Sequence, residues 1–426
     1  MSEPVLVVGA GLAGLSAAVE LARAGLPVLV VDQAQAAGGA IHRQPLPGVR
    51  AALVSRAQAR RWSDLMARVA AQSARLTLVL ATQFGGIDHT GAVLLTGRMN
   101  RLFRPRAVVL AIGARESVQP RPGWTLPGVE TAGSLQIRLK TLGEAPQGRV
   151  LLAGSGPLLL AVGAQLTQLG RPPVAIVEAG RPFAHPRTAL GLPGDYWIEA
   201  ASYLSRLMRA RVPLLTGTRL TALEAEGDAL VAQTSRGQRF VVDHVALHDG
   251  IRPNDLGLPE CPSLPPSLPV VRLGDCRAAL GARAAMADGQ SGGAALAARL
   301  LGLPAPPPDR DLARQSRAQA RLAKLYAHDV TAGLNALPGE TILCRCEART
   351  LNDLRALGPA PTARQMRLDG RFAMGPCQGR FCADWVARLT GAAPPQAGIG
   401  APRWPARPIS VADLLAATDE TKGETP

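Results

Sequence analysis

The run Val5-Leu6-Val7-Val8, followed at once by Gly9-Ala10-Gly11-Leu12-Ala13-Gly14, constrains this chain more than any other stretch. Four apolar residues in a row predict a buried strand. The Ala/Leu-rich segment from about Leu15 to Ala24, closed by Gly25, predicts a helix, and a second apolar strand, Val28 to Val31, ends in Asp32. Strand, glycine turn, helix, strand and terminal acid together make the complete β-α-β dinucleotide fingerprint. Gly9 permits the tight turn, Gly11 lets the backbone approach a pyrophosphate, and Gly14 lets helix and strand pack closely. The free N–H groups and the dipole at the helix N-terminus favour the anion, and Asp32 is placed to accept from ribose hydroxyls.

Two further segments favour FAD over NAD. Gly38-Gly39 follows the second strand by six residues, where the chain must come close to a flavin cofactor, and Arg43 is a candidate cofactor contact just beyond. Val271-Arg272-Leu273-Gly274-Asp275-Cys276 reads as a strand ending in Gly274-Asp275, before an Ala-rich helix expected over Ala278 to Leu301. Asp275 either reaches the ribityl and phosphate region of FAD or caps that helix. Ala111-Ile112-Gly113-Ala114 closes the strand Ala107 to Leu110 and adds Gly113 to the candidates.

A second unit of the same kind follows. Val150 to Ala153 leads into Gly154-Ser155-Gly156-Pro157-Leu158-Leu159, then a helix to Leu169-Gly170, then Val174 to Val177 ending in Glu178. Gly154, Gly156 and Glu178 are in place, while Leu159 stands where the third glycine would be. Pro157 suits the first helical turn. The fold unit is expected, and its ligand is open between a nicotinamide dinucleotide, another adenine nucleotide such as ATP, and none.

Four of the six cysteines fall in two tight pairs, Cys344-Arg345-Cys346 and Cys377-Gln378-Gly379-Arg380-Phe381-Cys382. Thiolates at such gaps can converge on one metal centre, and soft thiolates select zinc or iron–sulfur clusters over hard cations. Zinc ribbons more often show Cys-x₂-Cys on both sides. Gly375, Pro376 and Gly379 allow a tight loop whose N–H groups approach cluster sulfur. The pattern favours an iron–sulfur cluster, with structural zinc and unligated thiols as the alternatives. Cys261 and Cys276 lie apart and are expected to be dispensable for it.

The 426 residues allow two or three domains. Net charge is +15, almost all of it Arg, and aromatic content is 3%. No basic stretch interleaved with aromatics appears, so nucleic acid is not an expected partner. Arg310, Arg314, Arg317, Arg321 and Lys324 form a basic stripe at helical spacing, read as a solvated face with an acidic docking partner as the alternative. The apolar stretch Val150 to Leu166 contains Gly154 to Pro157 and belongs to a strand–turn–helix, not a membrane span. The first strand begins by Val5, which leaves no room for a signal peptide, and the thiols suit a reducing cytoplasm.

The fold class expected is α/β: two dinucleotide-binding, Rossmann-like domains, one inserted in the other, plus a small C-terminal iron–sulfur domain. The division expected is 1–140 and 245–302 for the FAD domain, 141–244 for the inserted NAD(P)-binding-like domain and 338–395 for the cysteine domain. Residues 303–337 form a Pro-rich linker with a basic helix. Residues 396–426 form a tail whose part Ala401 to Ser410 is too proline-dense for regular structure and lies extended over other surfaces.

The segments Ala111 to Glu116, Pro122-Gly123-Trp124-Thr125-Leu126-Pro127-Gly128-Val129 and Ala153 to Ala161 carry a family resemblance. They are similar to the flavoprotein α (A) subunits of bacterial amine dehydrogenase complexes, such as opine oxidases, hydrogen cyanide synthase and proline or hydroxyproline dehydrogenases. Leu159 is normal in that family. Gly375-Pro376-Cys377-Gln378-Gly379-Arg380-Phe381-Cys382 resembles the bacterioferritin-associated-ferredoxin-like [2Fe–2S] domain, and the tail Arg403 to Ser410 also looks familial. Departures are Ala40, where the family often has Gln, and Ile112 and Ser117, where Thr and Arg are common. The resemblance implies an FAD- and [2Fe–2S]-containing electron-transfer subunit of a hetero-oligomer. Substrate oxidation would then sit on a β subunit resembling D-amino-acid oxidases, and a small ferredoxin-like subunit would be a further partner. Ala40-Ile41-His42-Arg43 lacks the redox cysteines of disulfide reductases, no Ser/His/Asp or Cys/His constellation stands out, and His42 is read as packing or facing solvent, not as an acid–base group. Two rivals are a stand-alone NAD(P)H-dependent reductase and a non-enzymatic iron–sulfur scaffold with vestigial nucleotide folds.

Overall fold

Val5–Val8 has no polar side chain and is completely enclosed, because it forms the centre of a parallel sheet covered on both faces. In the computed structural model, which describes residues 3–49, 55–258, 264–265, 267–392, 398–401 and 404–418, that sheet has five strands. Their order is Val270–Arg272, Ala107–Leu110, Val5–Val8, Val28–Val31, Leu76–Val79, parallel throughout. A second five-stranded parallel sheet is ordered Leu214–Thr216, Ala175–Glu178, Val150–Gly154, His244–His248, Val129–Thr131. All its strands fall in sequence between Ala107–Leu110 and Val270–Arg272 of the first. Each sheet is accompanied by a three-stranded antiparallel one, Thr82–Ile87 to Arg101–Phe103 and Leu220–Glu226 to Val242.

The helix after the first strand covers Leu12–Arg23, starting three residues earlier than the alanine pattern predicts, because Gly11 in an extended conformation is its N-cap. It lies between its own sheet and the helix Gly281–Leu301. Both contacts are too close for side chains. A Cβ on Gly14 would stand 1.9 Å from the Gly9 carbonyl oxygen, one on Gly289 would stand 2.2 Å from that of Ala13, and one on Gly293 would stand 2.7 Å from Ala17 Cα. The late helix starts at Gly281 and not at Ala278, because Gly274–Cys276 forms a 3₁₀ turn first.

After the prolines the basic helix covers Arg310–Leu325, with Arg310, Arg314, Arg317, Arg321 and Lys324 all on its exposed face. The cysteine region follows as a short hairpin, Ile342–Cys344 against Arg349–Thr350, and three small helices, Leu351–Arg355, Ala363–Leu368 and Ala383–Thr390. Capping boxes at Thr350 and Thr362 start two of these helices. Their core is apolar, around Leu343, Phe372, Trp385 and Val386. Residues 404–410 hold neither helix nor strand, as their prolines require, and the tail then forms the helix Val411–Thr418. Ala406 N donates to Gly85 O at 2.7 Å, so the tail returns to the first antiparallel sheet. Cys261 and Arg403 lie outside the described residues. No helix among the described residues is long and apolar enough to cross a membrane.

Candidate functional site

The first fingerprint and its accessory segments meet around one cavity of about 1210 Å³, above the ~300–1,000 Å³ usual for one small ligand. Gly9, Gly11, Asp32, Gly38, Gly39, Arg43, Gly113 and Asp275 line it, whereas Gly14 and Gly274 stand behind its wall. Gly11 and Gly39 face each other there. A Cβ on Gly11 would find only Gly39 Cα, at 3.9 Å, so a side chain at position 11 would project into open space. Asp32 braces the turn: Oδ2 accepts from Ala10 N at 2.7 Å and Oδ1 from Ala34 N at 2.8 Å. It remains partly exposed to the cavity, with lone pairs left for a ligand. Asp275 serves the late helix: Oδ1 accepts from Leu280 N and Gly281 N, both at 2.8 Å, and burial pushes its carboxyl above the usual range.

Lys140, Glu116 and His248 also line the cavity, although no motif in the sequence marks them. Lys140 is buried and donates to Ala40 O, Ile41 O and Gln136 Oε1 at 3.1, 2.9 and 3.2 Å, fixing the loop after Gly39. Burial, then Arg43, lowers its ammonium to about 8. Glu116 receives Gly133 N at 2.9 Å and pairs with His248 Nδ1 at 2.9 Å. His42 is buried against Trp62, ring centroids 5.1 Å apart and 15° from coplanar, and burial lowers it to about 4. It packs on the Trp62 ring and does not face solvent.

Gly154, Gly156 and Glu178 take the places of Gly9, Gly11 and Asp32 in a second strand–turn–helix–strand unit, with the acid bonded one amide further along the turn. Glu178 Oε2 accepts from Gly156 N at 3.0 Å and Oε1 from Gly180 N at 2.7 Å. Yet Glu178 is 2% exposed and does not reach the cavity. Tyr326, just past the basic helix, lies over it. Ser155 Oγ donates to Tyr326 O at 2.8 Å, and a Cβ on Gly180 would be 3.0 Å from Tyr326 Cα and O. Ser155 and Gly156 do line the cavity, as does Tyr326, while Gly154 and the Glu178 carboxylate lie behind its wall. Leu159 is fully buried in the core between helix and sheet.

The four cysteines of interest are free thiols held in two pairs, Cys344 with Cys382 and Cys346 with Cys377. The Cys382 S–H and the N–H groups of Glu347, Ala373 and Cys346 point at the Cys344 sulfur and hold its thiol below the usual range. Cys382, which gives that hydrogen bond from a buried site, is pushed up. Gly375 is required where it stands, since a Cβ there would be 2.3 Å from Cys346 Cβ. Ala348, Arg371, Ala373 and Gln378 take positive φ around these loops, strain that the surrounding structure must hold in place. Among the described residues no three His, Cys, Asp or Glu side chains surround a single ion position. The two pairs lie close enough to act on each other, Cys346 on Cys344 and Cys377 on Cys382. Cys276 is separate and buried, with its thiol raised to about 11.

These features are those of a mixed α/β flavoprotein, and the comparisons agree. Residues 3–265 match the family model "Pyridine nucleotide-disulphide oxidoreductase". The chain belongs to that family and is an FAD-dependent oxidoreductase. It is 31% identical to the opine oxidase A subunit of Agrobacterium tumefaciens strain Ach5, over 96% of this chain and 91% of that one. It is 28% identical to hydrogen cyanide synthase subunit HcnB of Pseudomonas aeruginosa, over 95% and 96% of the two chains. In fold it is similar to L-proline dehydrogenase from P. horikoshii, with a TM-score of 0.61 at 16% identity, covering 97% of this chain and 79% of that one. It is thus a flavin oxidoreductase homologous to subunits of multi-subunit oxidases.

Gly11→Val keeps an allowed backbone and fills the pyrophosphate approach, so the variant should fold and purify without flavin. Full flavin absorbance in soluble Gly11→Val would remove this site. Lys140 is more acidic folded than unfolded, so between pH 8 and 10.5 the unfolded chain holds its proton longer. Relative to Lys140→Gln, the wild type should therefore gain roughly 1–3 kcal/mol as pH rises through that window and lose it again on return. Urea titrations at both ends measure this.

Proposed function

We propose that this chain is the electron-handling subunit of a multi-subunit amine, imino-acid or opine dehydrogenase, with substrate oxidised on a partner chain. FAD would lie in the first unit against Gly9, Gly11, Gly14, Asp32, Gly38, Gly39, Arg43, Gly113, Gly274 and Asp275. Cys344, Cys346, Cys377 and Cys382 would hold a [2Fe–2S] cluster. The observation that carries the reading is the position of the cysteine loop: Arg380, between Cys377 and Cys382, lines the same cavity as Gly11 and Asp32. Two thiol pairs suit two irons, each completing a sulfur shell, and N–H groups aimed at the Cys344 sulfur are the kind of hydrogen bond that tunes such a cluster.

When bound, the cofactors supply the redox chemistry and convert a two-electron input into one-electron output. The chain's own residues do the rest. The N-terminus of Leu12–Arg23 and the Gly11–Gly39 gap receive the pyrophosphate, and Lys140 fixes the loop that flanks it. The Glu116–His248 pair fixes the ring at the inner wall, with Nδ1 held by the carboxylate. Phe183 and Trp197, at the cavity, are 62% and 45% exposed. They offer an apolar rim to a partner chain, for which we propose a D-amino-acid-oxidase-like β subunit, a small ferredoxin-like subunit being a further partner. The reading divides the chain at 1–140 with 245–302, 141–244 and 338–395, and places it in a reducing cytoplasm.

Cys377→Ser or Cys382→Ser should abolish the cluster's visible absorbance and its reduced-state paramagnetic signal while flavin stays bound. Metal analysis of anaerobically purified wild type should give about two irons per chain, and one zinc without iron would end the electron-relay reading. With Tyr326 over Glu178, NADH and NADPH should reduce the flavin slowly or not at all. Stoichiometric bleaching within seconds at micromolar cofactor would favour the stand-alone reductase instead.

A further inference from the structure

Arg115 stands on Ala114–Glu116, a strand whose three residues line the cavity. Its guanidinium leaves the cavity wall and forks into the cysteine region. Nη1 donates to Arg380 O at 2.7 Å and Nη2 to Asp384 Oδ2 at 2.6 Å. Both charged side chains are nearly enclosed, at 8% and 6% exposure. Arg252, on the strand Ile251–Pro253 paired with Ala114–Glu116, reaches Asp384 Oδ1 at 3.4 Å and lies 5.8 Å from the Trp385 ring centroid. Arg380 in turn donates from Nη1 to Cys377 O at 3.0 Å. The other cysteine segment has a pin of its own: Trp124 Nε1 donates to Ile342 O at 2.7 Å, beside Leu343 and Cys344, and its ring meets Phe381 at 6.3 Å.

Taking Arg115 and Asp384 out of water is costly, and an apolar contact of the same size would hold two bodies together as well. The small helices of the cysteine region already have an apolar core of their own. What a buried guanidinium forked between the Arg380 carbonyl and the Asp384 carboxylate adds is geometry, because one rigid planar group bonded to two points of the cysteine region fixes its orientation.

We propose that Arg115, anchored on Asp384, is a positioning residue that holds the Cys377–Cys382 loop at fixed distance and angle from the cofactor cavity, making that wall the exit for electrons. The inference rests on the iron–sulfur reading above. A flavin reduced by two electrons must empty in two one-electron steps, releasing its protons to water-connected groups. Each electron passes through the cysteine loop to an external one-electron acceptor of the ferredoxin class. Both steps share one donor–acceptor gap, so a loosened loop slows both.

The test uses full-length, cofactor-loaded protein carrying Asp384→Asn, Arg115→Gln or Arg115→Lys. Flavin and iron contents, and the paramagnetic signal after direct chemical reduction, should match wild type. After photoreduction of the flavin, transfer to the cluster should slow roughly tenfold or more in Asp384→Asn and Arg115→Gln, since displacements near 1 Å have effects of that size. Arg115→Lys, which keeps the charge without the fork, should fall between. Trypsin should release the C-terminal fragment faster from the slowed variants. Loaded variants that transfer at the wild-type rate would overturn the clamp while leaving the cluster in place. Wild type without iron would instead overturn the reading beneath it. Should the charged-pair variants fail to fold, Trp124→Phe removes only one hydrogen bond from the opposite side. Slowed transfer there supports the two-pin arrangement, and an unchanged rate overturns it.

Discussion

Backbone rests directly on backbone where the first strand turns into the first helix, and the rest of the molecule is arranged around that contact. With no side chain at Gly14, Gly289 or Gly293, the helix Leu12–Arg23 is wedged between the sheet and Gly281–Leu301. Its N-terminus is therefore held at one depth, level with the ends of Val5–Val8 and Val28–Val31. The cavity is the space left above that point, bounded by loops at the strand ends. In an open α/β sheet this is where ligands bind, because the crevice lies outside the carboxyl ends of the strands. Asp32 adds the second constraint by tying Ala10 to Ala34, so the glycine turn cannot open independently of the second strand.

What can be read from the sequence is local in the chain. The two β-α-β units, their strands within a residue or two, and the break before the basic helix all follow from apolar runs, glycines and prolines spaced over a few residues. The alanine pattern starts the first helix three residues late because composition does not show that an extended Gly11 can cap it. Asp275 shows how one residue can serve two surroundings: it holds the first amides of the late helix and lines the cavity as well. Lys140, Glu116, His248 and the Arg115–Asp384 contact leave no signal, since 269 positions separate the last pair and each member alone resembles any surface charge. Burial converts those residues into constraints, and burial is a property of the whole fold.

The two glycine units are instructive together. Asp32 and Glu178 end equivalent strands and each grips its glycine turn, Asp32 through Ala10 N and Glu178 one position further on through Gly156 N, and sequence treats them alike. One opens onto the cavity and the other is sealed by Tyr326, contributed by a segment almost 150 residues further along. The difference is imposed from outside the unit. A motif therefore specifies a fold unit and the shape of its crevice, while the access to that crevice belongs to whichever part of the chain lies across it.

The returning tail has a consequence for how the protein is made. Ala406 and Arg407, which follow every other part of the cavity wall in sequence, line the same space as Gly11 near the start, and Ala406 is bonded to Gly85. A nascent chain can therefore assemble both parallel sheets on the ribosome while one side of the cofactor chamber is still missing. The wall closes only once the segment carrying Ala406 and Arg407 has been made and has returned to Gly85, so a chain cut short before it would be left with an open chamber however well its sheets had formed.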